Sequence, residues 1–235
     1  MRVLAVLLCV ISAGPVTSKT TVAEGDRTSR DKTAQLGSDE LVGRFLASAT
    51  PRLTSYKARR SLNASTRGGK MTASLEAWTW IDANGRFDYD ITSQHGADLL
   101  RRKVLVAALE EEQRARDEHD TSADVTPANY VLEVDEDRNG DFLRIHLRPR
   151  RKSPHLIEGT AFVTHDGFDM VRLEGELLKR PSFWTRRVEI SRHYARVCGV
   201  RVPIEMQSRA DVRFVGDSTF SMTYDYVTIN GQAVQ

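Results

Sequence analysis

The sequence predicts an α+β protein in which about ten antiparallel strands form one strongly curved sheet, with two helices covering its concave face. Segments in which apolar and polar residues alternate recur from Leu53 to Ile229, and a period of two is typical of strands with unlike faces. Short turn sequences containing glycine, asparagine or aspartate separate many of these segments. Only two stretches have the spacing of amphipathic helices, so an extended sheet must supply most of the structure.

The composition is that of a soluble globular protein, since 40% of the 235 residues are hydrophobic and 28% are charged. This length accommodates one large or two small domains, and the continuous series of strands favours one. The formal net charge is only +2, which argues against binding to a polyanion. We therefore expect no nucleic-acid partner.

Residues 1–18 are predicted to be a secretory leader. Arg2 supplies the charged start and Val3–Ile11 the apolar run, which is too short to span a bilayer as a helix. Cleavage is expected near Ser18, with cleavage after Ala13 as an alternative. The mature protein is therefore expected to be exported.

The two cysteines indicate neither a lipid anchor nor an internal disulfide. Cys9 lies inside the leader and follows Leu8, where lipidation signals require a small residue. Cys198 is then alone in the mature chain, and its position between two strand patterns favours a half-buried turn thiol over a catalytic one. Stability must come from a sizeable core.

Residues 19–37 are polar and are predicted to be a flexible tether ahead of a single domain spanning residues 38–235. The first helix is expected to begin with Ser38 as its N-cap and to end near Thr50, before a proline. The second helix is expected from Ala97 to His119, where an apolar stripe runs into a polar, glutamate-rich end.

Period-two alternation defines the predicted strands. They are Leu53–Ala64, Met71–Asp82, Arg86–Ser93, Asn129–Asp135, Phe142–Arg148, Leu156–Thr164, Phe168–Leu178, Phe183–Val197, Arg201–Val215 and Ser218–Ile229. In the hairpin near the centre of this series, Gly167 is expected to take the positive φ of the turn. Val171 and Leu173 are expected on the apolar face of the following strand, and Met170 and Arg172 on the polar face.

A strongly curved sheet has a wide concave face, which helices, side chains or a guest must fill. The apolar strand residues on that face suit an acyl chain or another apolar ligand. The candidate lining residues are Phe87, Tyr89, Ile91, Leu143, Ile145, Val171, Leu173, Ile204, Met206, Met222 and Tyr224. The alternative, that the two helices fill the space completely, stays open at this point.

Several local motifs resemble one family of bacterial proteins. They are Leu147-Arg148-Pro149-Arg150-Arg151-Lys152, Ile157-Glu158-Gly159, Arg172-Leu173-Glu174-Gly175, Lys179-Arg180-Pro181-Ser182-Phe183-Trp184 and Tyr224-Asp225-Tyr226. With the order of leader, tether, helix, strands, helix and long meander, they are similar to the LolA-like and LolB-like periplasmic lipoprotein carriers and to the lipid-sensing domain of RseB-type regulators. The resemblance covers residues 38–229.

The resemblance implies an unclosed antiparallel half-barrel of about ten to eleven strands. It also implies a periplasmic, non-enzymatic protein whose concave face binds the acyl chains of a lipid or lipoprotein. An alternative is an envelope-stress-type regulatory module that uses the same fold to bind a membrane-protein partner. No defined ligand residue of the family can be transferred to a position of this sequence.

Other candidate sites are weaker. The common hydrolase, zinc-protease, nucleotide and redox motifs are missing from the sequence, so no catalytic residue and no cofactor is predicted. His146, His155 and His165 recur about once per strand, but chance placement is favoured over a metal site. Trp78 and Trp80 share one face of a strand with Glu76, and core packing is favoured for them over a position at the rim of the barrel.

A basic cluster precedes the central hairpin. It consists of Arg148, Arg150, Arg151 and Lys152. A solvated loop is the simpler interpretation, and contact with an anionic lipid headgroup near the mouth of the barrel is the functional one.

Overall fold

The computed structural model of the protein describes residues 36–48, 51–118, 121–135, 140–179, 185–213 and 216–235. The predicted leader and the tether up to residue 35 lie outside the described residues. The same holds for the predicted helix ends at Thr50 and His119 and for the predicted strand start at Phe183.

Eleven strands and two helical regions follow one another along the described chain. The second helical region consists of three consecutive segments, of which the middle one, π1, is a π-helix. The bounds are α1 Ser38–Ala47, β1 Tyr56–Thr66, β2 Met71–Ile81, β3 Phe87–Gly96, α2 Asp98–Leu100, π1 Arg101–Val106, α3 Ala107–Asp117, β4 Tyr130–Val134, β5 Leu143–Pro149, β6 Ile157–Val163, β7 Met170–Leu177, β8 Thr185–Val197, β9 Val200–Val212, β10 Gly216–Ile229 and β11 Gln232–Ala233.

The strands form one antiparallel sheet in the order β3-β2-β1-β10-β9-β8-β7-β6-β5-β4, with β11 paired to β10. The sheet does not close, because β3 and β4 lie at its two ends. Near its centre β1 pairs with β10, so the beginning and the end of the domain meet there. The structure therefore confirms the predicted α+β fold, an unclosed half-barrel with two helical regions.

Two glycines allow β6 and β7 to approach closely and the sheet to bend. Gly159 and Gly175 face each other across these strands, and a Cβ on Gly159 would lie 1.9 Å from the backbone oxygen of Glu174. The curvature brings distant strands together. Arg192 of β8 acts electrostatically on the Tyr130 hydroxyl of β4, although four strand spacings of about 4.8 Å would separate these strands in a flat sheet.

Both helical regions cover the apolar, concave face of the sheet. The helix α1 buries Leu41 and Phe45 and contacts β4. The second helical region, called the cover from here on, comprises α2, π1 and α3 and packs on β1, β2 and β3. The cover buries Leu105 and Leu109 completely. In the described part of the chain, no helix has both the length and the apolar character needed to cross a membrane.

The hairpin of β6 and β7 departs from the predicted pattern in two places. A register shift leaves Val171 as an extra residue opposite β6, so Met170, predicted on the polar face, is only 2% exposed. The prediction for Met170 is wrong because a β-bulge interrupts the regular alternation of facing. The positive φ in the turn belongs to Phe168, at 52°, and not to Gly167.

Two smaller predictions are also wrong. Trp78 and Trp80 are half-exposed and alternate with buried residues, so they lie on the outer face, where the ammonium of Lys57 is 5.1 Å from the Trp78 ring. Aromatic residues on a strand do not by themselves reveal which face is buried. Ser38 is the first residue of α1, and Gly37 occupies the N-cap position.

Candidate functional site on the concave face

The predicted lining residues contribute mainly to a packed core. Those that are almost completely buried are Phe87, Leu143, Ile145, Leu173, Met206 and Met222. Tyr89, Ile91, Val171 and Tyr224 are partly exposed, and Ile204 is 37% exposed. Around the buried members, helices and side chains fill the space, which is the alternative that the sequence leaves open. A ligand would reach them only after a covering helix had moved.

Two grooves, of about 380 and 780 Å³, open on the outer face of the sheet. Thr72 and Ser221 line the smaller groove, and Glu176, Arg187 and Gln207 are among the residues that line the larger one. Such polar linings, of mixed charge in the larger groove, do not suit a hydrocarbon chain. The grooves therefore give no support to a lipid site on this face.

The predicted basic cluster contacts the loop that precedes β4 and the strand itself. Arg148 forms an ion pair with Glu133 of β4. The Nε of Arg150 donates to the backbone oxygen of Pro127 at 2.7 Å, and Arg151 donates to the backbone oxygen of Ser122 at 3.2 Å. Lys152 is exposed. These arginines hold a loop in place, and their contact with a lipid headgroup stays a prediction.

A buried ion pair joins the cover to the floor of the concave face. Arg60 of β1 and Glu112 of α3 are each 1% exposed, and two guanidinium nitrogens meet the two carboxylate oxygens at 2.5 and 3.0 Å. Paired charge-assisted hydrogen bonds of this kind are strong and fix the relative orientation of both groups. The pair therefore fixes the position of α3 on the sheet.

Aromatic rings surround the buried guanidinium. The Arg60 Cζ lies 4.5 Å from the ring centre of Tyr224, 5.3 Å from that of Phe87 and 5.8 Å from that of Tyr56. The guanidinium also donates a hydrogen bond to the Tyr56 hydroxyl. Cation–π contacts offset part of the cost of burying the charge.

Burial shifts the ionisation of the groups around this pair. It raises the pKa of Tyr56 to about 12, against the opposing influence of Arg60. It also raises the pKa of Tyr224 and of Tyr226. For Arg60, burial is the largest single influence and favours a lower pKa, but the carboxylate of Glu112 together with Tyr56 and Tyr224 outweighs it, and the pKa is raised well above its usual value. Near neutral pH the guanidinium is thus charged and the phenols are neutral.

A second cluster anchors the C-terminal end of α1. Arg196 donates to Asp169 at 2.9 Å and to the backbone oxygen of Ser48 at 3.2 Å. Arg201 is 3.7 Å from the same carboxylate, and burial lowers its pKa. Two guanidinium groups therefore share Asp169 where β7, β8 and β9 meet the end of α1.

The sequence contains a signal for only one partner of the buried ion pair. Arg60 stands in phase with Ala58 and Leu62, which are buried, so a charge at this strand position indicates a buried ion. Glu112 follows two other glutamates on a helix, and nothing in such a run distinguishes the buried member. The alternation of apolar residues alone identifies neither Arg60 nor Glu112 as a member of a buried pair.

The histidines considered as metal ligands have other neighbours. The ring of His146 lies 3.4 Å from Asp135, and the ring of His165 lies 3.0 Å from the backbone oxygen of Gly140. Among the described residues, no group of three or more histidine, cysteine, aspartate or glutamate side chains is arranged to hold a metal ion. What the concave face offers is an apolar floor in which the guanidinium of Arg60 is buried, and Arg192 of β8 is a further buried arginine on the inward-facing side of the sheet.

No protein-family model and no curated protein matches the chain. Its structure is similar to that of a LolA superfamily protein from Nitrosomonas europaea, with 10% sequence identity, coverage of 81% of this chain and 92% of that chain, and a TM-score of 0.39. It is also similar to a DUF1329 family protein from Desulfovibrio piger, with 11% identity, coverage of 86% and 92%, and a TM-score of 0.41.

Proposed function

We propose that the protein is a non-enzymatic periplasmic carrier or receptor that binds an acyl chain of a lipid or lipoprotein on its concave face. The chain would lie between the floor formed by β1, β2 and β10 and the cover. The observation that carries this proposal is the attachment of the cover to an apolar floor by the buried pair of Arg60 and Glu112.

A buried ion pair often contributes less to the permanent attachment of a helix than apolar packing does. The desolvation of two charges offsets much of their attraction, and well-packed apolar residues in their place are often as stabilising or more so. The pair does, however, define one position of α3 on the sheet. Such a contact suits a cover that opens and then closes again in the same position on the sheet.

The floor beneath the cover is suited to a hydrocarbon chain. Ala58, Leu62, Leu75, Ala77 and Met222 are completely or almost completely buried there, and the alanines allow close contact with whatever lies above them. Moving the cover would expose this surface to water, and an acyl chain would remove it from water again. The π-helix inside the cover adds support, because such segments are frequent at functional sites.

Lipid extraction and native mass spectrometry of the purified protein test the proposal. We expect co-purified lipid, and we expect the delipidated protein to take up a fluorescent fatty acid. Hydrogen exchange should then become faster in α3 when the chain binds and stay unchanged in α1. A delipidated protein that takes up no acyl chain would contradict the proposal, as would uptake that leaves exchange in the cover unaltered.

A second candidate function is the regulatory interaction module, which the open ends of the sheet favour. β3 lies at one end and contains the half-buried residues Tyr89 and Ile91, and a free strand edge accepts an added strand from a partner. A photo-reactive residue at Thr92 would then crosslink to one membrane protein in stoichiometric amount, with no lipid in the purified protein. Crosslinks distributed over many proteins would count against this function.

A further inference from the structure

We propose that the ligand is an anionic amphiphile, whose phosphate or carboxylate group replaces Glu112 as the partner of Arg60 when the cover opens. This inference rests on the proposed function and specifies the chemical class of its ligand.

Opening the cover separates two charges that belong to different elements. Arg60 stays on β1 with the sheet, whereas Glu112 leaves with α3. A guanidinium does not lose its proton in proteins, so Arg60 remains charged after its partner has gone. Among the described residues, Glu112 is the carboxylate that pairs with Arg60.

The remaining neighbours of Arg60 cannot replace the carboxylate. They are the rings of Tyr56, Tyr224 and Phe87 and the sulfur of Met222, which lies 3.8 Å from the guanidinium. Neutral rings offset only part of the free energy of an isolated buried charge. Since removing one member of a buried pair leaves the other charge uncompensated, a neutral chain would bind against a large penalty.

An anionic headgroup removes this penalty. Carboxylate and phosphate oxygens match the fork of a guanidinium, as the two oxygens of Glu112 already do. The alkyl chain would then cover the apolar floor while the headgroup satisfies the arginine. The two parts of the ligand correspond to two adjoining parts of the site.

Arg116 supplies additional positive charge at the same end of the cover. It lies one turn beyond Glu112 on α3 and acts electrostatically on the Tyr56 hydroxyl. Its Nε and one terminal nitrogen are buried without a hydrogen-bond partner among the described residues. Two guanidinium groups and one carboxylate thus act on the Tyr56 hydroxyl in the closed site, and Arg116 moves away together with Glu112 when the cover opens.

Binding of dodecyl phosphate, dodecanol and inorganic phosphate to the full-length mature protein tests the inference. The two amphiphiles have the same chain and differ in charge, and both are used below their aggregation concentrations. We expect dodecyl phosphate to bind at least about tenfold more tightly than dodecanol, and inorganic phosphate at the same concentration not to compete.

Variants assign the preference to the ion pair. The double variant Arg60→Met/Glu112→Met keeps the volume and removes both charges, so the preference for dodecyl phosphate should disappear. A substitution that changes how tightly the cover is attached affects both amphiphiles equally, because both require the same opening. It therefore does not alter the ratio of the affinities for dodecyl phosphate and dodecanol. Glu112→Gln retains a hydrogen-bond acceptor without the native counter-charge and should increase the preference. Arg59→Met removes an exposed arginine of the outer face, 3.4 Å from Asp225, and should leave the ratio unchanged.

Each remaining outcome is decisive. Equal binding of dodecanol and dodecyl phosphate would overturn the inference and leave the proposed function standing. Binding of neither amphiphile would overturn the proposed function. Competition by inorganic phosphate would show a site for a free anion, and an unaltered preference in Arg60→Met/Glu112→Met would place the anion elsewhere. Both results would overturn the inference.

Discussion

At the scale of single residues, the shape of the sheet depends on positions where a side chain is not tolerated. Gly159 and Gly175 lie directly opposite each other, and the backbone oxygens of Glu174 and Glu158 occupy the space that their Cβ atoms would need. A larger residue would force β6 and β7 apart. The bend between these strands therefore depends on the lack of a Cβ atom at Gly159 and Gly175.

We expect Gly159→Ala to lower the free energy of unfolding by at least about 2 kcal/mol, because overpacking a close strand contact displaces the backbone. Urea unfolding followed by circular dichroism measures this change. Gly43→Ala is the matched control. Among the described residues, no atom other than those of its chain neighbours and the helix backbone lies within 4 Å of the position that a Cβ on Gly43 would take, so this substitution should be neutral or stabilise by about 0.5 to 1 kcal/mol. Equal effects of the two substitutions would contradict the role of the close approach.

Alternation predicted the facing of residues well where the strands are regular. It identified Phe87, Ile145 and Leu173 as inward-facing, and all three are buried. It failed for Met170, since the extra residue of a bulge leaves no mark on the local pattern. It could not identify the partner of Arg60 either, because that contact depends on where a distant helix rests.

At the scale of elements, the two helical regions are attached in different ways. The cover is joined to the sheet through the pair of Arg60 and Glu112, at its buried face. The helix α1 is anchored at its C-terminal end, where Arg196 contacts both Asp169 and the backbone of Ser48. The end of α1 is thus connected to two hairpins of the sheet, so the proposed binding of an acyl chain would displace the cover more readily than α1.

Asp169→Asn should loosen α1 and leave the cover in place. It removes the carboxylate that Arg196 and the buried Arg201 share, and breaking such a pair costs about 3 to 5 kcal/mol. Hydrogen exchange should become faster in α1 than in α3. As a control, Asp225→Asn removes the partner of Arg59 in an exposed pair, where less than about 1 kcal/mol is expected. Faster exchange in α3 alone would contradict this assignment.

The elements could be predicted from the sequence more reliably than their ends. The ten longer strands and both helical regions follow from periodicity and turn residues, since these signals are local. The two-residue strand β11 has no period to detect. The π-helix at Arg101–Val106 could not be predicted either, because the residue types of this segment are ordinary for an α-helix.

At the scale of the whole molecule, the concave face combines apolar packing with buried tyrosines. Tyr56 and Tyr226 contact each other edge to face at 5.6 Å, and Tyr224 stacks on Tyr226 at 5.9 Å. The Tyr226 hydroxyl donates to the backbone oxygen of Pro203 at 2.8 Å, which joins β10 to β9 beyond their last paired residues. Ionising these phenols would place negative charge in a buried environment and would therefore destabilise the folded sheet.

Stability should therefore fall at high pH. Unfolded tyrosines ionise near pH 10, whereas burial raises the pKa of Tyr56 to about 12 and also raises that of Tyr224 and Tyr226. The contribution of a raised pKa is complete below pH 10 and is lost as the pH rises towards 12. Urea unfolding between pH 9 and about pH 11.5 measures the decline.

A tyrosine variant isolates this contribution from that of other titrating groups. In Tyr224→Phe the decline should be shallower by up to about 1.4 kcal/mol per pH unit, because one ionising group has been removed. Identical slopes for the parent protein and the variant would show that Tyr224 does not titrate at higher pH when folded.

The pairing of β1 with β10 at the centre of the sheet limits how early during synthesis the protein can fold. Arg59 of β1 pairs with Asp225 of β10, which lies 166 residues later in the sequence, so these strands cannot join until the chain has been made as far as β10. Until then, the growing chain presents unpaired strand edges and an incomplete, exposed apolar face, which are the conditions for aggregation and for slow folding. The contacts of Arg60 with Met222 and Tyr224 also form only at this late stage, because both residues lie on β10. The surroundings of the buried Arg60 are therefore complete only after β10 has joined the sheet.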